Sequence, residues 1–256
     1  VQGGVKIPIL SLKPTATWIT ADTGTSESDK QKLQANTSVV FNYYGLECKV
    51  AQTLLTSVTT LQMFQQLFAS LAAEAIAKAL DIAIMKGDGS GEPTGIAVDT
   101  RVPTGNVITL SSSDVLSWSA WKKKVFAKMP KAYRNGSFIM AQATFDGYID
   151  GMTDSNGQPI GRVNYNVLEN GETYRFGGKE VITVENDVIT DYDSANTGDV
   201  IAVFVNLNDY AINSNMQLTA VRWVDHDTNE VKNKVIMICD GKLIDPNGVL
   251  IIKKGA

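Results

Sequence analysis

The feature that most constrains this chain is a long amphipathic stretch from Ser57 to Lys86. Val58, Leu61, Phe64, Phe68, Leu71, Ala75 and Leu80 recur at three- to five-residue steps, and Leu67 and Ile76 widen the stripe. That spacing places the apolar side chains along one side of an α-helix. Ser57 or Thr59 can cap its start, and Gly87 suits the left-handed position beyond its end. At about 1.5 Å per residue the helix is on the order of 40 Å long. In a chain of 256 residues this is a spine, not one member of a compact bundle. It is not a membrane span either. Gln62, Gln65, Gln66, Glu74, Lys78 and Asp81 interrupt it, and no apolar run reaches the roughly 18 to 20 residues a span requires.

The segments before the helix are unlike it. Val1 to Thr17 has little periodicity and contains Gly3, Gly4, Pro8 and Pro14, which predicts an extended arm. Thr20 to Asn36 is rich in Thr, Ser, Asp, Lys and Gln and lies between Trp18-Ile19 and the β-prone Val39 to Tyr44. A polar loop between two such flanks predicts a long projecting hairpin, and loops of this length tend to be functional. The first residue is Val1, so the expectation is a processed or trimmed start.

After the spine the chain becomes α+β without a βαβ rhythm. A second helix is expected from Ser113 or Asp114, carrying Val115, Leu116, Trp118, Trp121, Val125 and Phe126 and stopped by Pro130. Lys122, Lys123 and Lys124 form its solvated face. Strands are expected at Phe138 to Ala141, Glu180 to Val184, Val200 to Val205, Gln217 to Val224, Lys234 to Cys239 and Val249 to Ile252, with a short helix near Thr144 to Met152. Asp154 to Gly157 and Asp245 to Gly248 read as turns.

The chemistry expected of an enzyme is missing. His226 is the one histidine, with no GxSxG nucleophile elbow in the chain, and it reads as a solvated turn residue. Cys48 and Cys239 are far apart and have no CxxC partner; both read as buried free thiols. Neither a zinc site nor another metal or cofactor site is expected. Gly87 to Pro93 superficially resembles a phosphate loop, but it follows a helix and lacks the GK[ST] ending. Asp154 to Gly157 has an EF-hand turn without the ligand spacing, with Met152 and Val163 at the end positions. Asn36-Thr37-Ser38 and Asn135-Gly136-Ser137 match a glycosylation pattern by chance, since no secretory signal is present. The net charge of -4 offers no basic stripe for nucleic acid.

The order of these elements resembles the major capsid proteins of tailed bacteriophages, those with the Hong Kong 97-type fold. An arm precedes Thr17-Trp18-Ile19-Thr20, which opens a long polar hairpin, the family's E-loop. The spine helix follows and runs into Leu80-Asp81-Ile82-Ala83-Ile84-Met85-Lys86-Gly87-Asp88-Gly89-Ser90-Gly91-Glu92-Pro93-Thr94-Gly95-Ile96. This is similar to the family's GxGxxxPxGI-like turn, with Gly87, Gly89, Gly91, Pro93 and Gly95 as the signature; glycine there lets the backbone double back. Asn135 to Met140 followed by Phe145 to Met152 fits the family's axial domain, and the paired strands of Met216 to Ile244 fit its peripheral domain.

The resemblance implies an α+β capsid fold with four parts. These are an N-terminal arm (1–17), an E-loop hairpin (18–49), a peripheral domain with the spine helix (50–112 and 216–245) and an axial domain (113–215 and 246–256). It implies a shell protein, not an enzyme. Copies would assemble as pentamers and hexamers into an icosahedral head that encloses double-stranded DNA without binding it specifically. Portal, scaffold or decoration proteins are the further partners, and the place is the virion after assembly in the host cytoplasm. In some members a lysine of the E-loop attacks an asparagine of another subunit, assisted by an acid seven residues after it. Asn233 and Asp240 match that pair in spacing. Thr25 to Glu27 occupy the lysine's place, and Lys30 and Lys32 lie further along. With that departure, Asn233 is expected to be an ordinary strand residue and Asp240 an ordinary turn residue. The rival readings are an encapsulin, which has the same fold and houses a cargo enzyme, an enzyme with an unrecognised site, and a monomeric binding module.

Overall fold

The computed structural model describes the backbone of residues 6–9, 37–166 and 171–256, and the side chains of residues 39–51, 70–163, 172–214 and 219–256. The chain divides into two units, Val1–Asn42 and Tyr43–Ala256. In the first, β1 (Lys6–Ile9) pairs antiparallel with β2 (Thr37–Val40), Lys6 opposite Val40 and Ile9 opposite Thr37. The remainder of the expected arm, and the loop from Thr20 to Asn36 with Lys30 and Lys32, lie outside the described residues. Val39 to Tyr44 is not one strand: β2 ends at Val40 and β3 (Tyr44–Thr53) begins after three residues without regular structure.

In the second unit β3 passes without a loop into α1 (Leu54–Lys86), 33 residues and about 50 Å long. β3 is an outer strand of a three-stranded antiparallel sheet with β10 (Tyr210–Asp225) and β11 (Glu230–Leu243), in the order β10-β11-β3. Glu230 lies opposite Thr53 and Cys239 opposite Tyr44. α1 packs on this sheet through Ala72 and Ile76, which meet Val235 together with Leu46, Cys48, Leu80 and Met237. Val58, Leu61, Phe64, Leu67 and Phe68 of the expected stripe lie outside the described side chains; beyond them Ile76 and Leu80 make the contact as expected, and the rest of the line is shifted by one position. Leu71 is 54% exposed and Ala75 is exposed, whereas Ala72, Ile76 and Ala83 are buried. Alanine at 72 and 83 lets the helix approach the sheet closely, so small residues mark the contact that bulky ones were expected to make.

The other sheet has seven strands in the order β4-β12-β9-β5-β8-β7-β6. These are β4 (Val107–Leu110), β12 (Leu250–Lys254), β9 (Val200–Val205), β5 (Ser137–Ala141), β8 (Lys179–Val184), β7 (Gly171–Phe176) and β6 (Gly161–Asn166). β12 runs parallel to β4 and β5 parallel to β8, while β9 is antiparallel to both β5 and β12. The middle strands are covered on both sides. Phe138, Met140, Ala202, Phe204, Leu250 and Ile252 enter one core, and Ile139, Val203, Val205 and Ile251 enter a second with Met85, Ile96 and Leu243. Two-sided burial is why these strands read as continuous apolar runs.

The expected second helix is broken. α2 (Ser112–Val115) and α3 (Trp118–Lys124) are separate, and a 3-10 turn follows at Phe126–Lys128. Each piece opens on its own cap. The Ser111 backbone N–H and hydroxyl both donate to Asp114, at 2.9 and 2.7 Å, and Ser117 accepts from the Ala120 N–H at 3.4 Å. Leu116 sits at the break and is 63% exposed. The segment near Thr144 forms a helical turn at Gln142–Thr144 and a π-helical turn at Phe145–Ile149. Cys48 and Cys239 are free, but only Cys239 is buried; Cys48 is half-buried.

Candidate functional site

The residues singled out at the end of α1 come together as one closed turn. The last helical carbonyls of any α-helix lack partners within it. Here the returning chain supplies them: the Ile96 N–H donates to the Ile84 carbonyl at 2.8 Å and the Ala97 N–H to the Met85 carbonyl at 3.0 Å. Gly95 donates to the Gly87 carbonyl at 2.8 Å, and Asp88 pairs with Thr94. The two passes of backbone are so close that side chains do not fit between them. A Cβ on Gly87 would lie 2.1 Å from the Pro93 carbonyl oxygen, and one on Gly95 would lie 2.6 Å from the Gly87 nitrogen. Gly89 and Gly91 serve differently, with φ of 79° and 84°, where a side chain strains the backbone.

This turn joins the two sheets. The Tyr44 hydroxyl of β3 donates to the Gly89 carbonyl at 2.8 Å. The Thr94 N–H donates to the Gly241 carbonyl of β11 at 3.0 Å, and the Tyr210 hydroxyl of β10 donates to the Thr94 carbonyl at 3.0 Å. Tyr210 fits because position 241 is glycine, where a Cβ would meet its oxygen at 2.5 Å. Burial, followed by the negative charge of Asp240, pushes the Tyr210 phenol well above its usual range. On the far side, Ile96 and Met85 enter the core shared with Val205 and Ile251. Beside them Arg101 donates to Asp99 at 2.6 Å and to the Leu243 carbonyl at 2.7 Å. Lys78 of α1 binds Glu185 at 2.6 Å and Asp187 at 2.7 Å, both just beyond β8. The sequence reading gives Tyr44 and Tyr210 no part in this turn. They lie 45 and 116 residues from their partners in the turn, a separation at which no local pattern betrays them.

Asn233 and Asp240 both lie on β11 and are buried, at 8% and 0% exposure. Seven residues apart on one strand, they point to opposite faces and sit about 23 Å from each other, so one subunit does not bring them together. Asp240 is not a turn residue as expected, because β11 continues through it to Leu243, with Asp240 opposite Asn213. It accepts from the Gly241 N–H at 2.8 Å and lies 3.6 Å from Lys242. His226 is exposed in the turn between β10 and β11. Lys122, Lys123 and Lys124 are exposed, and Lys124 pairs with Asp114 at 2.5 Å.

No described helix is long and apolar enough to cross a membrane. The Gly87 to Ile96 turn and the residues that brace it form a joint between the two sheets. The capsid of the native GTA particle matches with a TM-score of 0.77 at 18% identity, covering 100% of this chain and 86% of that one. A structure from Gordonia phage Cozz matches with a TM-score of 0.65 at 17% identity, covering 98% and 81%. The SrpI encapsulin of Synechococcus elongatus PCC 7942 matches at 0.57 and 9% identity, covering 85% and 76%. At such identities the likeness is one of fold, the Hong Kong 97-type α+β fold. In sequence, the major capsid protein of Escherichia phage T5 is 28% identical over 178 residues. That match takes in 66% of this chain and spans 38% of the T5 protein's length. The model of the phage capsid family matches residues 2–254, and the chain belongs to that family.

Proposed function

We propose that this chain is the major capsid protein of a tailed phage, a subunit whose copies close an icosahedral shell around double-stranded DNA. The observation that carries this reading is the family match, which takes in the whole span from arm to last strand. Its role is structural, and its working parts are interfaces. The arm (1–17) and the E-loop hairpin (18–49) are the parts proposed to reach neighbouring copies. The peripheral parts (50–112 and 216–245) and axial parts (113–215 and 246–256) form the body, in pentamers and hexamers. The joint at Gly87 to Ile96 holds these two parts at a fixed angle, which a shell of defined curvature requires. Acidic balance suits a wall that must contain DNA without snagging it. The contacts are proposed to be noncovalent, because Thr25 to Glu27 stand where a cross-linking lysine would be.

The test is deletion of Thr20 to Asn36. The shortened chain should remain folded and soluble by circular dichroism and should no longer sediment as shells. Shells from the shortened chain would overturn the assignment of assembly to that hairpin. The encapsulin reading rests on fold likeness and is separated by contents: particles made in the presence of the genome hold nucleic acid on the phage reading and a protein cargo on the other.

A further inference from the structure

The antiparallel register of β6 and β7 sets Arg162 directly opposite Arg175. Like charges directly opposite each other destabilise a strand pair, and this pair lies at the outer edge of the seven-stranded sheet. Both arginines are exposed, and with Trp118, Lys122 and Asp154 they line an open cleft of about 600 Å³. Lys122 lies 5.8 Å from the centre of the Trp118 ring. The one carboxylate present, Asp154, already accepts the N–H groups of Asn156 and Gln158, each at 2.9 Å. Among the described residues Lys122, Arg162 and Arg175 form no ion pair. Three cations less one carboxylate leave this cleft positive in a chain whose net charge is -4.

Complementary charge lies on the other side of the hairpin, at Glu172 of β7 and at Asp146 in the Phe145–Ile149 turn. Glu172 precedes Arg175 by three residues on β7, so the two point to opposite faces. Tyr174, on the face of Glu172, donates to it at 2.5 Å. Gln142 donates to the Tyr174 oxygen and to Asp146, both at 3.1 Å. Asp146 and Glu172 are both exposed, and no cation pairs with either among the described residues. Two carboxylates are thus held in place by neutral donors and left open to an incoming cation.

A head-to-tail ring needs two different, complementary patches on every copy, and the hairpin supplies both together with Lys122 of α3 and Asp146 of the Phe145–Ile149 turn. We infer that the β6–β7 hairpin is an electrostatic contact between neighbouring copies of this chain, in which Lys122, Arg162 and Arg175 of one receive Asp146 and Glu172 of the next. The arginine fork matches carboxylate geometry, and the cost of opposing Arg162 and Arg175 in the lone subunit is offset when the acids arrive. This inference rests on the shell reading. It favours a second copy over a nucleic-acid phosphate because the matching acids, Glu172 on the hairpin and Asp146 in the turn tied to it through Gln142, belong to the same chain.

The test uses charge reversal in the intact chain, with folding checked by thermal melting and assembly by gradient sedimentation. R162E/R175E and D146K/E172K should each fold and each lose at least tenfold in the fraction sedimenting as shells. The quadruple variant should restore assembly. Wild-type shell yield from R162E/R175E, with or without a loss of packaged DNA, would overturn the inference; a loss of DNA alone would point to phosphate as the occupant. Failure of the folded quadruple variant to recover would overturn it equally. If the unaltered chain forms no shells under the same conditions, the shell reading itself fails.

Discussion

At the scale of single residues, the sharpest constraint is the contact between the two passes of backbone at Gly87 and Gly95. Ala at either position must displace backbone, since the nearest atoms are the Pro93 carbonyl and the Gly87 amide. Each change should cost roughly 1–3 kcal/mol, the scale of locally strained backbone. G91A, at a positive φ with open space around it, should cost about 1–2 kcal/mol without disturbing the joint. Denaturant midpoints of the three variants measure this, and any of the three without a loss of stability would contradict it. Acid offers a second reading of individual side chains. The hydrogen bond from Lys124, then those from Ser111, hold Asp114 down at about 2. The hydrogen bond from Lys232, then the Asp227 N–H, hold Asp225 down at about 2. An unfolded aspartate titrates near 4. These two groups therefore contribute stability that is fully present above about pH 4 and is lost as pH falls toward 2. D114N should flatten part of that loss in a series of thermal melts from pH 5 to pH 2.

At the scale of elements, the aromatic cluster under the seven-stranded sheet fixes how α3 sits. Trp121 meets Phe176 and Phe138 with ring centroids 5.0 and 6.2 Å apart, and its indole N–H donates to the Val115 carbonyl at 2.9 Å. W121A removes the packing and leaves that carbonyl without its donor, so a loss of about 3–5 kcal/mol is expected, read from chemical denaturation. What the sequence reveals at this scale follows burial. Ser137–Ala141 and Val200–Val205 are legible as strands because both faces are covered and their apolar runs are unbroken. α1 is legible from its length, yet its contact line is not, because Ala72 and Ala83 carry little hydrophobic signal while exposed Leu71 carries much. β6 and β7 escape because Arg162, Asn164, Glu172 and Arg175 dilute any alternation on a half-exposed hairpin. The break between α2 and α3 coincides with a side-chain cap at Ser117, which competes with a helix period that looks continuous. In the joint, the glycines announce themselves, whereas Tyr44, Tyr210 and Gly241 act on it from strands distant in sequence.

At the scale of the whole molecule, one helix end organises two sheets. β3, β10 and β11 contact the turn through hydrogen bonds, and the seven-stranded sheet receives Met85 and Ile96 as core residues. A subunit built this way presents surfaces in a fixed relation, which is what repeated head-to-tail contacts need in order to close. On the shell reading proposed above, the work is done by shape and charge. Electron microscopy of the purified, unaltered chain after assembly tests it most directly. Closed icosahedral particles, with five- and six-fold clusters of subunits in their walls, are the predicted result. A monodisperse solution of single subunits under every assembly condition would contradict it.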